Sequence, residues 1–420
     1  MNARLKVLIS AYACSPYKGS EPGVGWGCVA ALAKRHDLWV IVEEEKFRTD
    51  IEHYLAENPE FAKSVHFYYL RKRRNRSLRK FWPPSYYWYY RRWHEEAFIL
   101  AQNLHREVGF DLAHQLTMVG FREPGYLWKL GIPFVWGPIG GMGLFPWRFL
   151  PVVGGYGSLY YVGYNLLNAW QMRFSHRPKL AARSAGVGLI TATPENRVGA
   201  EEYWGCSSEM VCEVGLPQAP ALLPTRRKPG EPLRLVWTGL HIPRKALNLA
   251  LAALATLPKP SNWILHVLGE GPRTSRWQQM SQQLGVAERC QFHGWLPRDD
   301  AMRIMASSHL MLITSLRDLT STVTIEALAL GLPVVCLDHC GFGGVVDETC
   351  GIKVPVTTPA SVVTGLAAGI ARLVEDEPLR FDLAKGAVAR AQGFSWEKKA
   401  AALDQVYQQK LAEHGAVKKT

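Results

Sequence analysis

The sequence contains no run of apolar residues long enough to cross a membrane. A spanning helix needs roughly 18–20 consecutive apolar residues, and the nearest candidate, 149–170, is interrupted by glycine, serine and asparagine. The eight cysteines are irregularly spaced and form no C-x-x-C pair, which predicts a reducing compartment rather than a disulfide scaffold. The apolar run near the N-terminus is short and predicts a first buried strand instead of a signal peptide.

Several metal- and nucleotide-binding signatures are also missing. The sequence has no D-x-D pair and no Cys/His cluster with metal-ligand spacing, so we expect no catalytic metal. The glycine-bearing segment 18–26 lacks G-x-G-x-x-G spacing, and no P-loop Lys-Ser/Thr follows it, which argues against a dinucleotide or P-loop site. The formal net charge of +13 favours an anionic partner: a membrane surface, a nucleic acid or a phosphorylated substrate.

The most informative stretch of the sequence is 310–338. An apolar strand at 310–313 is followed by a polar loop, a helix around Glu326 and a second apolar strand at 333–337. This is the order of a βαβ unit, whose ligands lie at the carboxyl ends of the strands against helix N-termini that favour anions. We therefore expect Asp318 in the loop and Glu326 in the helix to hold ligand hydroxyl groups, while the helix start receives a diphosphate.

The spacing of Asp318 and Glu326 resembles the E-x7-E signature of the retaining GT-B-fold glycosyltransferases of family four, the glycosyl transferases group 1. Asp318 stands in the position of the first Glu and Glu326 in that of the second. The resemblance implies an α/β fold of two Rossmann-like, doubly wound domains facing a cleft. It also implies that Asp318 contacts the hydroxyls of the transferred sugar and Glu326 those of the ribose. Asp is shorter than Glu by one C–C bond, roughly 1.5 Å, which bears on sugar preference.

Other motifs of the family occur in the C-terminal half. Lys245 keeps the Lys of a G-R-x4-K motif, whereas position 240 is Leu where the family has Arg, and Arg244 offers a second charge. Gly271 stands in a G-x-G-P turn, and His293 stands in an F-x-G segment that commonly lies by the nucleotide base. The resemblance implies donor-binding roles in this half for Gly239, Arg244, Lys245, Gly271, His293, Ser321 and Thr322.

In the N-terminal half, a first strand is followed by the glycine-bearing loop 18–26 and a helix predicted from about 26 to 35. Gly23 and Gly25 fall on glycine positions of the family, and the resemblance implies donor contacts for them; the alternative is a plain turn. His114 ends a D-x-x-H strand, and the resemblance implies a catalytic role. The alternative for His114 is a hydrogen-bonded structural histidine.

Composition and resemblance together predict the domain boundaries. Residues 1–214 form an N-terminal, acceptor-side Rossmann-like domain with a membrane-facing insertion. The proline-rich segment 215–232 is a linker, and residues 233–395 form the Rossmann-like domain that binds the nucleotide-sugar. Residues 396–420 form a last helix that, by resemblance, crosses back to the first domain.

Residues 71–93 have the most unusual composition, a dense basic run followed by tryptophan and tyrosine. Such a segment suits an anionic membrane surface. A structural insertion and a single-stranded nucleic-acid site are the alternatives. The membrane interpretation is favoured because 145–170 offers a second apolar, aromatic surface in the same half. We therefore expect a cytoplasmic protein that is peripheral on the cytoplasmic face of the membrane.

These observations predict a metal-independent hexosyltransferase without a cofactor. Its donor is a UDP- or GDP-sugar, and its acceptor is a saccharide, lipid-linked by our expectation, in exopolysaccharide, capsule or lipopolysaccharide assembly of the bacterial type. The competing class is a catalytically weakened GT-B-like binding or scaffold protein at the membrane, which Leu240 and Asp318 favour. A nucleic-acid-binding enzyme is a third class, and no nucleic-acid partner is expected.

Overall fold

The computed structural model describes residues 4–73, 85–217, 224, 226–258 and 260–417. The strands are β1 Lys6–Ala11, β2 Asp37–Glu43, β3 Val65–Leu70, β4 Leu112–Thr117, β5 Phe134–Ile139, β6 Leu189–Thr191, β7 Glu209–Met210, β8 Leu233–Thr238, β9 Trp263–Leu268, β10 Cys290–Gly294, β11 Leu310–Ile313, β12 Val334–Asp338 and β13 Gly351–Pro355.

The α-helices alternate with these strands. They are α1 Ser20–Leu32, α2 Glu44–Glu57, α3 Pro59–Ala62, α4 Ser85–Val108, α5 Gly155–Phe174, α6 His176–Ala185, α7 Pro194–Gly199, α8 Leu247–Ala255, α9 Thr274–Gln283, α10 Arg298–Ala306, α11 Thr322–Ala329, α12 Cys340–Val345, α13 Pro359–Glu375, α14 Glu377–Ala391 and α15 Trp396–Val417.

The chain divides into two units, each with its own sheet. The first unit comprises Met1–Met142, Trp170–Gly215 and Trp396–Thr420, and the second comprises Gly143–Ala169 and Leu216–Ser395. The sequence prediction placed 143–169 in the N-terminal domain, whereas these residues pack within the second unit. Hydrogen bonds explain this placement, because Arg273 Nη2 donates to the carbonyl of Val153 over 2.6 Å.

The first unit is built on a seven-stranded parallel sheet in the order β3-β2-β1-β4-β5-β6-β7. In its centre, Leu8 of β1 lies beside Trp39 of β2 and beside Ala113 of β4. Residues 7–11 of β1 are all buried, as in parallel strands that are covered by helices on both faces. The strand order reverses between β1 and β4, so the loops that follow these two strands lie at the switch point of the sheet.

The second unit is built on a six-stranded parallel sheet in the order β10-β9-β8-β11-β12-β13. Leu235 of β8 lies beside Leu265 of β9 and beside Leu310 of β11. The order reverses between β8 and β11, so ligands are expected at the carboxyl ends of these two strands. The turn 239–245 follows β8 and the loop 314–321 follows β11, and both therefore lie at this switch point.

The C-terminal helix α15 packs within the first unit. A Cβ atom added to Gly27 would lie 2.2 Å from Cε2 of Trp396, and one added to Gly215 would lie 2.7 Å from Cδ2 of the same ring. The Lys399 ammonium donates hydrogen bonds to the carbonyls of Cys212 and Val214. The indole therefore needs glycine at both positions to reach its site.

The basic and aromatic segment 71–93 is described only in part, since residues 74–84 lie outside the described residues. The Lys72 ammonium lies 3.8 Å from the centroid of the Tyr86 ring, and Tyr90 and Trp93 are buried. Part of this segment therefore packs on the first unit as structural aromatics. No helix among the described residues combines the length and apolar character needed to cross a bilayer.

Candidate functional site

The two loops at the switch point of the second unit contact each other directly. The Leu316 N–H donates to the carbonyl of Arg244 over 2.8 Å, and the Thr314 hydroxyl donates to the carbonyl of Lys245 over 2.8 Å. The turn Pro243–Lys245 is a short 3-10 helix that ends at Ala246 with a φ of +47°. These bonds fix the two cationic residues of the first loop against the second loop.

A charged cluster lies where the loops meet. The Lys245 ammonium donates to Oδ2 of Asp318 over 2.6 Å, and Nη1 of Arg244 lies 3.4 Å from the same oxygen. The side chains of Lys245 and Asp318 are 13% and 17% exposed, so water screens their attraction only in part. Two cations face one carboxylate here, which leaves an excess of positive charge for an anionic ligand.

Asp318 is held by its backbone and by its side chain. Its Oδ1 accepts from the N–H of Leu319 over 3.1 Å, and its own N–H donates to the Cys340 sulfur over 3.2 Å. Arg244 also donates to the carbonyl of Arg317 over 2.7 Å. The aspartate therefore has a fixed orientation toward the two cations.

Glu326 lies in the second turn of α11 and is 6% exposed. Nη2 of Arg298 lies 2.6 Å from its Oε1, although the contact lacks the alignment of a hydrogen bond. A buried carboxylate with one cation beside it retains lone pairs for ligand hydroxyls. Arg298 was missed by the sequence analysis, because it lies on α10, far from Glu326 in the chain.

The start of α11 has an unusual backbone. Ser321 precedes the helix with a φ of +64°, and its side chain makes no capping hydrogen bond to the helix among the described residues. Thr322 is the first helical residue. The first N–H groups of a helix carry partial positive charge, so these two residues lie where a phosphate would be favoured.

A pocket of about 570 Å³ lies beside the turn 239–245. It is lined by His241, Gly269, Glu270, Gly271, Thr274, Gln278, Phe292, His293 and Gly294. A Cβ atom on Gly271 would lie 2.8 Å from the carbonyl oxygen of His241. Glycine at 271 therefore allows the two turns to approach closely, as the G-x-G-P resemblance implies.

His241 forms the back of this pocket and was not singled out by the sequence analysis. Its ring is 1% exposed, and its Nδ1 lies 2.8 Å from the Thr274 hydroxyl. Within the described part of the chain its Nε2 has no hydrogen-bond partner. Burial lowers the pKa of His241 to about 4, so the ring is neutral. Its position between Gly239 and Arg244 is the sequence signal that could have found it.

His293 lines the same pocket from the end of β10. Its Nε2 lies 3.1 Å from Nδ1 of His266, and burial lowers the pKa of both rings. A Cβ atom on Gly239 would lie 3.5 Å from Cε of Lys245. Of the donor-binding residues predicted for this half, Gly271 and His293 line the pocket, whereas Arg244 and Lys245 contact Asp318 in the charged cluster.

The residues predicted in the first unit have structural surroundings. Gly23 and Gly25 lie within the first two turns of α1, which begins at Ser20 and not at about residue 26. A Cβ atom on Gly25 would lie 2.2 Å from the carbonyl oxygen of Ala13, and one on Gly23 would lie 2.7 Å from that of Lys18. The predicted loop is thus helical, and close packing explains both glycines without a ligand.

His114 is fully buried within β4, which continues to Thr117 and does not end at His114 as predicted. Its Nδ1 lies 2.6 Å from the hydroxyl of Tyr407, and its Nε2 lies 2.8 Å from the carbonyl oxygen of Gly137. Burial lowers its pKa to about 4, so the ring is neutral, with Nε2 donating to the carbonyl and Nδ1 accepting from the tyrosine. Both nitrogens are occupied, which favours the structural alternative over the predicted catalytic contact.

Comparisons with known proteins match the part of the chain that carries this cluster. Residues 224–390 match the family model of glycosyl transferases group 1. A D-inositol 3-phosphate glycosyltransferase of Salinispora tropica is 28% identical over 217 residues, 48% of this chain and 44% of that protein. The lipopolysaccharide glucosyltransferase WaaG of Escherichia coli K12 is 30% identical over 120 residues, 28% of this chain and 31% of WaaG. The chain thus spans less than half the length of these curated relatives.

Solved structures resemble the whole chain. HepE of Anabaena, crystallised with UDP, aligns with a TM-score of 0.58 at 16% identity, over 96% of this chain and 100% of HepE. The sucrose-phosphate synthase of Thermosynechococcus elongatus aligns with a TM-score of 0.60 at 17% identity, over 98% of this chain and 100% of that protein. At these identities the likeness shows the fold, and the predicted fold class of two Rossmann-like domains of the GT-B type is confirmed.

The family match lies entirely within the second unit and includes Lys245, Asp318 and Glu326. The resemblance predicted from the sequence is confirmed for the second unit, whose residues 224–390 match the glycosyl transferases group 1.

Proposed function

We propose that this protein is a glycosyltransferase. It transfers a hexosyl group from a UDP- or GDP-sugar to a saccharide acceptor carried on a lipid, with retention of the anomeric configuration and without a metal ion. We further propose that it acts as a peripheral protein at the cytoplasmic face of the membrane, in the assembly of a surface polysaccharide.

The observation that carries this proposal is the charged cluster at the switch point of the second unit. Arg244 and Lys245 are cations fixed by the backbone contacts of two loops, and Lys245 lies 2.6 Å from Asp318. A diphosphate is the ligand that suits two fixed cations beside a helix start. The pocket formed by His241 and His293 has room for the base, and Glu326 has a carboxylate suited to ribose hydroxyls.

The proposed reaction is a displacement on one face of the sugar. The acceptor oxygen bonds to the anomeric carbon on the side from which the diphosphate leaves, and the bond from that carbon to the phosphate oxygen breaks. The leaving phosphate takes the acceptor proton, so retention needs no protein nucleophile. Arg244 and Lys245 stabilise the negative charge that develops on the diphosphate, and the pocket supplies positioning.

The printed descriptions of similar proteins support the substrate classes. HepE was crystallised with UDP and with UDP-glucose, and WaaG is described as a glucosyltransferase of lipopolysaccharide biosynthesis. WaaB, a lipopolysaccharide outer core galactosyltransferase, aligns with a TM-score of 0.58 at 12% identity. These descriptions favour a nucleotide-sugar donor and a lipid-borne acceptor for this chain.

A thermal-shift screen against UDP-, GDP- and ADP-sugars tests the donor assignment first. We expect one nucleotide to raise the melting temperature, because a ligand that binds only the folded state stabilises it by mass action. Turnover of the identified donor with a lipid-linked saccharide then tests transfer, and NMR of the product identifies the anomer. A protein that binds none of these nucleotides would refute the proposal.

The alternative function is a binding or scaffold protein that has lost catalysis. The observation in its favour is that Asp318 lies in an ion pair with Lys245, so each group already has a charged partner within the protein. Leu240, 61% exposed, also stands where the family has Arg. The alternative predicts nucleotide binding without transfer or hydrolysis, whereas a transferase hydrolyses its donor slowly even without an acceptor.

A further inference from the structure

Helix α5 has an inverted distribution of polar and apolar side chains. Its inward residues include Asn165 and Asn168, which are 1% and 0% exposed. Leu159 and Leu166 are 74% and 61% exposed. A helix on the surface of a soluble protein ordinarily buries its leucines and exposes its asparagines, so the apolar side of this helix is suited to surroundings other than bulk water.

The exposed apolar residues of α5 form one stripe. Helical neighbours are three or four residues apart, and the exposed positions follow this spacing over most of the helix. They are Tyr156, Leu159, Tyr160, Leu166, Leu167, Trp170 and Phe174. The 3-10 turn that precedes the helix adds Trp147, 48% exposed. A continuous apolar stripe of this length marks an interaction surface.

The charge around the stripe identifies what it contacts. Residues 143–174 contain no Asp or Glu, and their two charged residues, Arg148 and Arg173, are exposed. The chain as a whole carries a formal charge of +13. Exposed Trp and Tyr beside Leu, with Arg at the margins and no acidic group, is the composition of a helix that lies in the interface of an anionic bilayer.

The inward side of the same helix contacts the loops that hold the charged cluster of the second unit. The Arg317 guanidinium lies 3.7 Å from the centroid of the Tyr164 ring, and Arg317 immediately precedes Asp318. A Cβ atom on Gly157 would lie 4.0 Å from Cβ of Pro243, in the turn that contains Arg244 and Lys245. One side of the helix therefore carries the exposed stripe, and the other side packs on the loops that hold the charged cluster.

We propose that the stripe on α5, from Tyr156 to Phe174, is the surface that seats this protein in the headgroup layer of an anionic lipid bilayer. This inference deepens the proposed function. It rests on that function only for the purpose of the membrane contact, which is to hold the donor loops next to an acceptor that is itself in the membrane. The basic run 71–76 is then not the principal membrane contact.

Vesicle flotation without any nucleotide tests the proposal. The probe is a vesicle of equal parts phosphatidylglycerol and phosphatidylethanolamine, and the variant is Leu159→Gln with Leu166→Gln, since Gln has a helix propensity close to that of Leu. We expect the vesicle affinity to fall at least roughly a hundredfold, from the loss of two buried leucines. Circular dichroism and the melting temperature verify that the variant folds.

A matched control carries the same substitution at two exposed apolar residues elsewhere. Ile99 and Val198 are 60% and 58% exposed and lie on α4 and α7 of the first unit. Ile99→Gln with Val198→Gln should float like the unchanged protein. Flotation of the α5 variant at the level of this control would overturn the proposal, as would an unchanged protein that does not float.

Two further measurements decide the occupant. Arg148→Gln with Arg173→Gln should weaken binding to the anionic vesicles by roughly tenfold to thirtyfold, and should not change binding to phosphatidylcholine vesicles. Equal effects on both vesicles would overturn the assignment to an anionic layer. Sedimentation of the unchanged protein as a dimer that the leucine variant dissociates, without flotation, would assign the stripe to a second copy of the chain. Because no nucleotide is present, none of these outcomes depends on the donor site.

Discussion

Replacing Lys245 with methionine removes the cation closest to Asp318 while keeping most of the length of the side chain. The Lys245 ammonium and Oδ2 of Asp318 are 2.6 Å apart, and both side chains are mostly buried. If the ammonium binds the diphosphate of a donor, the variant should bind UDP or GDP more weakly. The companion variant Asp318→Asn should bind the same nucleotide more tightly, because it frees the cation and removes a like charge from the phosphate site.

The magnitude follows from the strength of a charge-assisted hydrogen bond. Such a bond contributes about 1.5–3 kcal/mol, which corresponds to roughly a tenfold to hundredfold rise in Kd for Lys245→Met. In the unchanged protein part of this contribution is offset, because Lys245 must share its protons with Asp318. The loss caused by Lys245→Met should therefore be larger in the Asp318→Asn background, and a double-mutant cycle measures the difference.

Titration calorimetry with UDP and with GDP measures these dissociation constants in the four proteins of the cycle. A second ion pair in the same unit supplies the matched control. Lys353 Nζ, on β13, lies 3.3 Å from Oδ1 of Asp338, the last residue of β12. Lys353→Met and Asp338→Asn should leave nucleotide binding unchanged, and melting temperatures verify that all variants fold.

Equal nucleotide affinity in Lys245→Met and in the unchanged protein would refute the phosphate role of this lysine. A looser nucleotide complex in Asp318→Asn would instead show that the carboxylate helps to hold the nucleotide, and that the ion pair is not in competition with the phosphate. The first result would remove the charged cluster as the basis of the proposed function, and the second would refute the competition between Asp318 and the phosphate for Lys245.

Three other predictions concern catalysis, packing and pH. Glu326→Gln should abolish turnover, because the amide is a poorer hydrogen-bond acceptor for hydroxyls than a carboxylate. A melting scan of the variant should still show a cooperative transition, and normal turnover would exclude this carboxylate from the site. Gly25→Ala should lower the free energy of unfolding by about 1–3 kcal/mol through overpacking. The control Gly163→Ala, whose Cβ would meet no atom within 4 Å, should raise the free energy of unfolding by up to about 1 kcal/mol. Urea titrations that gave equal effects for the two variants would contradict this explanation. The pKa values of His114 and His241 are about 4 in the folded protein because the rings are buried, against about 6.5 when unfolded. Between pH 4 and pH 6.5, roughly, the unfolded chain therefore binds more protons than the folded protein. The urea midpoint should fall as the pH is lowered from about 6.5 to about 4, and these two histidines should not change it above about pH 6.5.

The loops of the second unit could be predicted because their signals are local. The stretch from β11 to β12 is a strand, a polar loop, a helix and a strand, and Gly331 ends the turn after α11 with a φ of +70°. The family motifs add the residue types that accompany this geometry. Lys245 and Asp318 were therefore predicted at one site although 73 positions separate them.

The start of α1 could not be predicted from propensity. Glycine disfavours the interior of a helix, and so the segment with Gly23 and Gly25 was interpreted as a loop. The helix nevertheless includes both, because a larger residue at 25 would overlap the carbonyl of Ala13, and one at 27 would overlap Trp396 of the last helix. Packing against residues distant in the chain overrides the local preference.

His114 shows the same limit at a polar residue. Its place in the D-x-x-H pattern of a predicted strand is a local signal, and the sequence leaves open whether it binds a ligand or supports the fold. The two hydrogen bonds that favour the structural role come from Tyr407 and Gly137, which are distant in the chain. No pattern near residue 114 indicates either partner.

The sequence by itself determined the fold class, the family resemblance and the residues of the charged cluster, which are Arg244, Lys245 and Asp318. It could do so because the alternation of strands and helices, and short motifs, are properties of neighbouring residues. The tertiary structure alone decided that Arg298 pairs with Glu326, that His241 forms the back of the pocket, and that α5 turns its asparagines inward and its leucines outward. Each of these depends on which side of an element faces the rest of its unit, and that is determined by contacts between residues far apart in the chain.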